Sequence, residues 1–289
     1  MRYSEPVTEI IKKRFSCRTC THKPIAGEER GLLADFLSVC DAGPFGAAVR
    51  LELIAASEHD RRALKGLGTY GFIKGATAFI VGAVGTSEKN LEDFGYVMET
   101  AVLCATDIGL GTCWLGGSFT RSSFARKISA GEDEIVPAVV SLGYIAEKRK
   151  SGVTVRRLVG GHNRMPWENL FFLERFGIPL LPEEAGVYGV PLEMLRLAPS
   201  ASNKQPWRIV KDGTAWHFYM QRTKGYGNSL TFKLLHIADL QRVDLGIAMS
   251  HFELTAVEIG LTGKWIVQEP EIEKPDRLCE YTVSWISYD

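Results

Sequence analysis

The apolar positions of this chain repeat with two different periods. Phe94, Val97, Met98, Ala101, Cys104, Ala105 and Ile108 recur at helical spacing, and their stripe is so wide that the helix they predict is buried on most sides. Leu32, Leu33, Phe36, Leu37 and Cys40 predict a second helix. "VRLELIAA" alternates like a half-buried strand, and "ATAFIVGAV" and "IVPAVVSLGY" are apolar runs short enough to be buried strands. Further on, "PLEMLRL" and "WENLFFLERF" read as helices. "WRIV" and "AWHFYM" read as strands flanking a Lys211-Asp212-Gly213-Thr214 hairpin turn, and "EYTVSWI" as a last strand. The predicted class is α+β, with mixed or antiparallel sheets flanked by helices.

A repeat divides these elements. "DFGYVMETAVLCATDIGLGTCW" from Asp93 and "DLGIAMSHFELTAVEIGLTGKW" from Asp244 align at a shift of 151 residues, with nine identities in 22 positions. Two related buried helices predict two related halves packed as a fused pseudo-dimer. The basic, glycine-containing stretch Lys148 to Gly161 marks the boundary near Gly160-Gly161, giving halves 1–161 and 162–289.

Charge and composition then narrow the function. With 34 basic and 34 acidic residues in 289, the formal net charge is zero, so long-range attraction to nucleic acid or to an acidic membrane is not expected. The longest apolar stretch, "ATAFIVGAVG", is about half of the ~20 residues a bilayer span needs, and the N-terminus has no apolar core of signal-peptide length. The expectation is a soluble, cytoplasmic protein. Cysteines 17, 20, 40, 104, 113 and 279 are too sparse for a disulfide framework and mostly sit in apolar surroundings, as free thiols do.

Several candidate motifs compete. Gly66-Leu67-Gly68-Thr69-Tyr70-Gly71 matches the dinucleotide fingerprint in letters, but a strand-like run follows it where a helix is required. Cys17 and Cys20 have only His22 nearby as a further ligand and no second pair, and they follow a basic turn where a redox dithiol would open a helix after a strand, so neither metal nor redox use is expected and the thiols read as incidental. The same stretch, "KKRFSCRTC", also places Arg14, Ser16 and Arg18 at i, i+2 and i+4. In extended backbone these point one way and present two guanidinium forks and a hydroxyl, a set suited to phosphate. A solvated basic face explains such a run as well. "APSASNKQPW", Ala198 to Trp207, is crowded with short hydrogen-bonding side chains between a helix and a strand, as either an ordinary cap and turn or a ligand loop.

Taken together these stretches resemble the FMN-dependent nitroreductase family. "RFSCR" is similar to its N-terminal Arg-x-Ser-x-Arg, "APSASNKQPW" to its Pro-Ser-x-x-Asn-x-Gln-Pro-Trp, "GLGTCWLGG" to its flavin-flanking loop, and "RMPWENLFF" to its Arg-x-Pro-Leu-Glu segment. The resemblance implies a nitroreductase-like fold and an FMN site made from Arg14, Ser16, Arg18, Leu115, Gly116, Gly117, Arg164, Pro199, Ser200, Ala201 and Asn203. Arg14 and Ser16, helped by Arg164, would hold the 5′-phosphate. Arg18 would face the flavin N1 and O2 edge, Gly116 and Gly117 would let backbone approach N5, and Asn203 would bond the ribityl chain or ring edge. No protein group is implied as nucleophile or acid, because flavin N5 carries the hydride from NADH or NADPH. The partner implied is a small-molecule electron acceptor such as a nitroaromatic or quinone, and the assembly a monomeric pseudo-dimer or weak homo-oligomer. The order of motifs departs from ordinary members, where the Pro-Ser-x-x-Asn loop closely follows the Arg-x-Ser-x-Arg. Here that slot reads "GPFGAAVRLELI", with Ala48 where Asn203 stands, and the implied stoichiometry is one FMN per chain. The same kinship also admits a non-catalytic FMN-binding protein or a flavin destructase.

Overall fold

The computed structural model describes residues 3–57, 62–146, 163–226 and 238–288. The chain divides into two compact units, Met1–His162 and Asn163–Asp289. The expected boundary at Gly160-Gly161 lies outside the described residues.

Unit 1 runs α1 (Val7–Lys13), α2 (Gly27–Ser38), β1 (Val49–Ala55), β2 (Ala78–Gly85), α3 (Asn90–Asp107), β3 (Gly111–Leu115), α4 (Arg121–Lys127), β4 (Glu134–Ile135) and β5 (Val139–Gly143). Its sheet has the order β1-β2-β5-β3, antiparallel throughout, with β4 beside β2. Strand β2 is central and buried on both faces. Phe79, Val81 and Ala83 pack with Phe119, Phe124 and Val139 on one side. On the other, Gly82 admits α3, since a methyl group there would lie 2.7 Å from the Phe94 ring and 2.8 Å from Met98. Helix α3 is buried on nearly every side, including at Asp93 and Glu99. Its few polar side chains must therefore find partners within the fold.

Unit 2 runs β6 (Phe171–Leu173), α5 (Gly189–Arg196), β7 (Trp207–Asp212), β8 (Ala215–Gln221), α6 (Leu240–Glu258), β9 (Gly263–Ile266) and β10 (Cys279–Ser287). The sheet order is β6-β7-β8-β10-β9. Strand for strand, β7-β8-β10-β9 repeats β1-β2-β5-β3, again antiparallel, with α6 standing in the chain where α3 does. The repeat in sequence is thus a repeat in topology. The expected hairpin is present, Asp212 pairing with Ala215 across Gly213 at φ +56°. Against the sheet, Phe252 of α6 sits among Phe218, Trp265 and Trp285, with ring centroids 5.4–6.0 Å away.

One expected helix is absent. "WENLFFLERF" forms a single 3₁₀ turn, Trp167–Asn169, and then β6, which pairs parallel to β7. Its apolar residues are few enough to satisfy either period, and the free edge of β7 supplies backbone partners that a lone helix would not. Because β6 lies on the edge opposite β9, it is not the structural counterpart of residues 14–18, which run beside β3.

Candidate functional site

The first cluster of candidate residues follows α1. Arg14 ends that helix, its N–H donating to the Ile10 carbonyl at 2.9 Å, and the chain turns extended there (φ −61°, ψ 133°). Ser16 then bridges in parallel to Thr112 of β3, and the Cys17 N–H donates to the Thr112 carbonyl at 2.7 Å. At i, i+2 and i+4, extended backbone would turn Arg14, Ser16 and Arg18 the same way. All three act on the Cys113 thiol: burial pushes it up, while the charges of Arg18 and Arg14 and a hydrogen bond from the Ser16 hydroxyl pull it back.

Sequence reasoning missed a fourth member of this cluster. Arg14 Nε lies 3.7 Å from Glu99 Oε1, the side chains being 6% and 0% exposed. The other oxygen, Oε2, accepts from Trp114 Nε1 at 2.7 Å. The available signal was an acidic residue inside a stripe of apolar ones, where solvent cannot satisfy it. At the equivalent position of α6 stands Ser250, fully buried, whose hydroxyl has no hydrogen-bond partner among the described residues. The charged pair therefore belongs to unit 1 alone.

Beyond β3, buried Leu115 leads into Gly116 and the exposed Gly117. Arg121 fixes this turn. Its guanidinium donates to the Gly116 carbonyl at 3.2 Å, to the carbonyls of Val136 and Pro137, and lies 4.9 Å from the centre of the Phe119 ring. Burial lowers its pKa, as expected for a cation whose partners are carbonyls and a π face. Thr120 next door exchanges hydrogen bonds with Gly68, N–H to carbonyl and N–H to hydroxyl, both at 3.0 Å. At its other end the same glycine-rich loop is tied to the basic strand, Lys74 N–H donating to the Arg18 carbonyl at 2.9 Å. Between these anchors Tyr70, at φ 46°, and Phe72 stand 65% and 59% exposed. The loop leads into β2 and not into a helix, so the Gly66–Gly71 letters frame no dinucleotide turn.

The second cluster lies in unit 2, on the loop from Pro199 to Trp207. Both carboxylate oxygens of buried Asp244 accept from the Ala201 N–H, at 2.9 and 3.1 Å. Ser200 Oγ accepts from Gln205 N–H at 2.9 Å, and Asn203 N–H donates to the Ser200 carbonyl at 2.9 Å. Three non-glycine residues, Ser202, Asn203 and Gln205, hold φ between 48° and 54°. Such concentrated strain persists only where surrounding bonds over-determine it, and functional loops are where it collects. Arg164 supplies part of that restraint, donating to Asn203 Oδ1 at 2.9 Å and to the Leu197 carbonyl at 2.7 Å. Gln205 Oε1 accepts from Met165 N–H at 2.8 Å, and Trp207 is fully buried. Arg164, Pro199, Ser200, Ala201 and Asn203 are thus brought together in unit 2, and Arg14, Ser16 and Arg18 in unit 1.

The counterpart loop in unit 1 is held by the counterpart acid. Asp93, one repeat shift before Asp244, accepts from Phe45 N–H at 2.9 Å and Ala47 N–H at 2.8 Å, just after Pro44. Burial pushes both carboxyls up, Asp244 well above the usual range, while the loop N–H groups pull them back. Among the described residues no group of three or more His, Cys, Asp or Glu is arranged to hold a metal ion, and no helix is long and apolar enough to cross a membrane.

The chain has a nitroreductase-like α+β fold. A Thermotoga maritima protein carrying a nitroreductase description matches over 99% of this chain and 95% of its own, with 22% identity and a TM-score of 0.59. A nitroreductase family protein from Clostridium difficile matches over 55% of this chain and 96% of its own (19% identity, TM-score 0.39). A nitroreductase with bound FMN from Bacteroides fragilis matches over 50% and 90% (18% identity, TM-score 0.38). No curated protein matches the sequence. The family profile described as "Putative TM nitroreductase" matches residues 6–256, and the chain belongs to that family.

Proposed function

We propose that the protein is an FMN-dependent oxidoreductase that takes electrons from NADH or NADPH and passes them to a nitroaromatic, quinone or similar small acceptor. The observation that carries this reading is the i, i+2, i+4 spacing of Arg14, Ser16 and Arg18 along the segment that Ser16 bridges to Thr112 of β3. Two guanidinium groups and a hydroxyl are the donor set a phosphate monoester requires. Family membership adds the flavin to which that phosphate belongs.

Bound FMN would supply the chemistry, accepting a hydride at N5 and returning two electrons to the acceptor. The chain's own residues bind, orient and polarise. Arg14 and Ser16 hold the 5′-phosphate, with Arg164 adding charge from the loop where it already orients Asn203. Arg18 places a cation at the pyrimidine edge, where negative charge collects on reduction, and so favours the reduced state. Gly116 and Gly117, reached from Leu115, would present backbone to the ring without a side chain in the way. Pro199, Ser200, Ala201 and Asn203 form the opposing loop, and Asn203 bonds the ribityl chain or ring edge. Tyr70 and Phe72 offer exposed rings for a planar acceptor to stack on. The basic set occurs in unit 1 alone and the Asn203 loop in unit 2 alone, which supports one FMN per chain at the interface of the two halves.

The test is the flavin content of the purified, reconstituted protein. About one FMN per chain, lost in Arg14→Ala and in Asn203→Ala, is expected; no flavin after reconstitution, or two per chain, overturns the reading. Anaerobic bleaching by NADH or NADPH separates an enzyme from a flavin-binding protein. Recovery of intact oxidised FMN on admitting air separates it from a destructase, which would consume the flavin.

A further inference from the structure

The function proposed above leaves Cys17 and Cys20 unused, and the fold brings them together. Their sulfurs lie 3.8 Å apart in a hydrogen bond, with the residues 2% and 4% exposed. The backbone is pinned at both ends of the pair, Cys17 N–H on the Thr112 carbonyl at 2.7 Å and Cys20 N–H on the Lys74 carbonyl at 2.8 Å. Glycines make the room the sulfurs occupy. A methyl group on Gly111 would sit 2.8 Å from Cys17 Sγ, and one on Gly143 would sit 2.8 Å from Cys20 Cβ and 3.1 Å from its Sγ.

We propose that Cys17 and Cys20 are an oxidisable dithiol that closes to a disulfide when the protein meets a peroxide. A disulfide bond of ~2.05 Å requires the sulfurs to approach by under ~2 Å, which side-chain rotation can supply while the backbone anchors stay in place. Either sulfur can donate in the hydrogen bond between them, and that bond to Cys17 is the chief cause that raises the Cys20 thiol; we assign the first attack to Cys17. Its sulfur bonds to one peroxide oxygen as the O–O bond breaks, and the departing hydroxide takes up the thiol proton as water. Cys20 then attacks the sulfenic sulfur; the S–S bond forms, the S–O bond breaks, and a second water leaves with the remaining proton. Two thiols lose two electrons and one peroxide gains them. Burial restricts the oxidant to small molecules such as hydrogen peroxide.

The placement gives the bond a consequence. Arg18 lies inside the four-residue ring that the disulfide closes, and Ser16 directly precedes it. Oxidation therefore constrains the strand that presents the basic set, whatever anion that set binds.

The experiment uses the full-length protein, reduced, freed of reductant and exposed to hydrogen peroxide. It is then alkylated in denaturant, digested and weighed. The expected result is a peptide containing Cys17 and Cys20 that has lost two hydrogens and takes no alkyl group. Cys40, Cys104 and Cys279 remain alkylated, and dithiothreitol restores both missing thiols. In Cys20→Ser, Cys17 stops at the sulfenic acid and is trapped by dimedone; in Cys113→Ser the disulfide still forms. Full alkylation of Cys17 and Cys20 after peroxide, a Cys17–Cys113 bond in their place, or over-oxidation of either without a disulfide overturns the proposal. The wild-type measurement decides it even if a variant fails to fold.

Discussion

Replacing Glu99 by Gln tests whether the Arg14 pair organises the basic cluster. The glutamine keeps an acceptor for Trp114 Nε1 and removes only the charge. At 3.7 Å, two unit charges attract by about 4–5 kcal/mol at the effective dielectric of ~20 that fits protein data. Desolvation offsets much of that in the intact pair, but removing one member of a buried pair leaves the other charge without its carboxylate and costs about 3–5 kcal/mol. At a urea slope of roughly 2 kcal/mol per molar, the unfolding midpoint of unit 1 falls by about 1.5–2.5 M. Trp114 is the one tryptophan of unit 1, so 5-fluorotryptophan labelling and ¹⁹F NMR report that unit separately from the five tryptophans of unit 2. A second readout isolates the charge. With Glu99 neutralised, inorganic phosphate should stabilise Glu99→Gln more than wild type, because the anion replaces the missing carboxylate beside Arg14. A midpoint within about 0.3 M of wild type, or equal stabilisation of both proteins by phosphate, would refute the assignment of Glu99 as the counter-charge.

Three other outcomes follow from the same structure. Gly75 holds φ +72°, and a methyl group there would lie 2.1 Å from the Cys20 carbonyl oxygen; Gly75→Ala should cost at least ~3 kcal/mol or prevent soluble expression, measured by urea titration. Asp244→Ala leaves the Ala201 N–H without its acceptor and should cost about 1–3 kcal/mol, with faster amide exchange across 200–205. Burial lowers the pKa of His217, whose Nδ1 lies 2.7 Å from Ser284 Oγ. The unfolded chain therefore takes the proton first, so stability is fully present above the unfolded value of ~6.5 and is lost as pH falls through it. His217→Gln should flatten that slope in thermal melts between pH 7 and 5.

Much of the fold was legible because its signals are periodic. The stripe from Phe94 to Ile108 and its copy after Asp244 marked the two central helices, and the alternation of "VRLELIAA" and the hairpin turn before "AWHFYM" marked sheet strands. The fold class and the nitroreductase resemblance stand in the structure. What escaped the reading depends on tertiary partners. "LFFL" carries no preference strong enough to tell a helix from a strand, and only the open edge of β7 decides it. Glu99 stands on a helix expected to be buried on most sides, but its partners Arg14 and Trp114 come from other elements and only the fold shows them. Asp93 and Asp244 were visible as an identity in the repeat, but only the loops folded over them explain why both positions need a carboxylate.

Those two aspartates separate what the scaffold demands from what the ligand demands. Each carboxylate serves backbone N–H groups, which every residue but proline provides, so its requirement is blind to the side chains the loop displays. The loop sequence after Pro44 and that after Pro199 can then diverge while the anchor stays fixed. The two anchored loops fold alike whatever side chains they carry. In engineering terms, Asp93 and Asp244 are the fixed points to keep, and the residues between each proline and the following strand are the positions open to redesign.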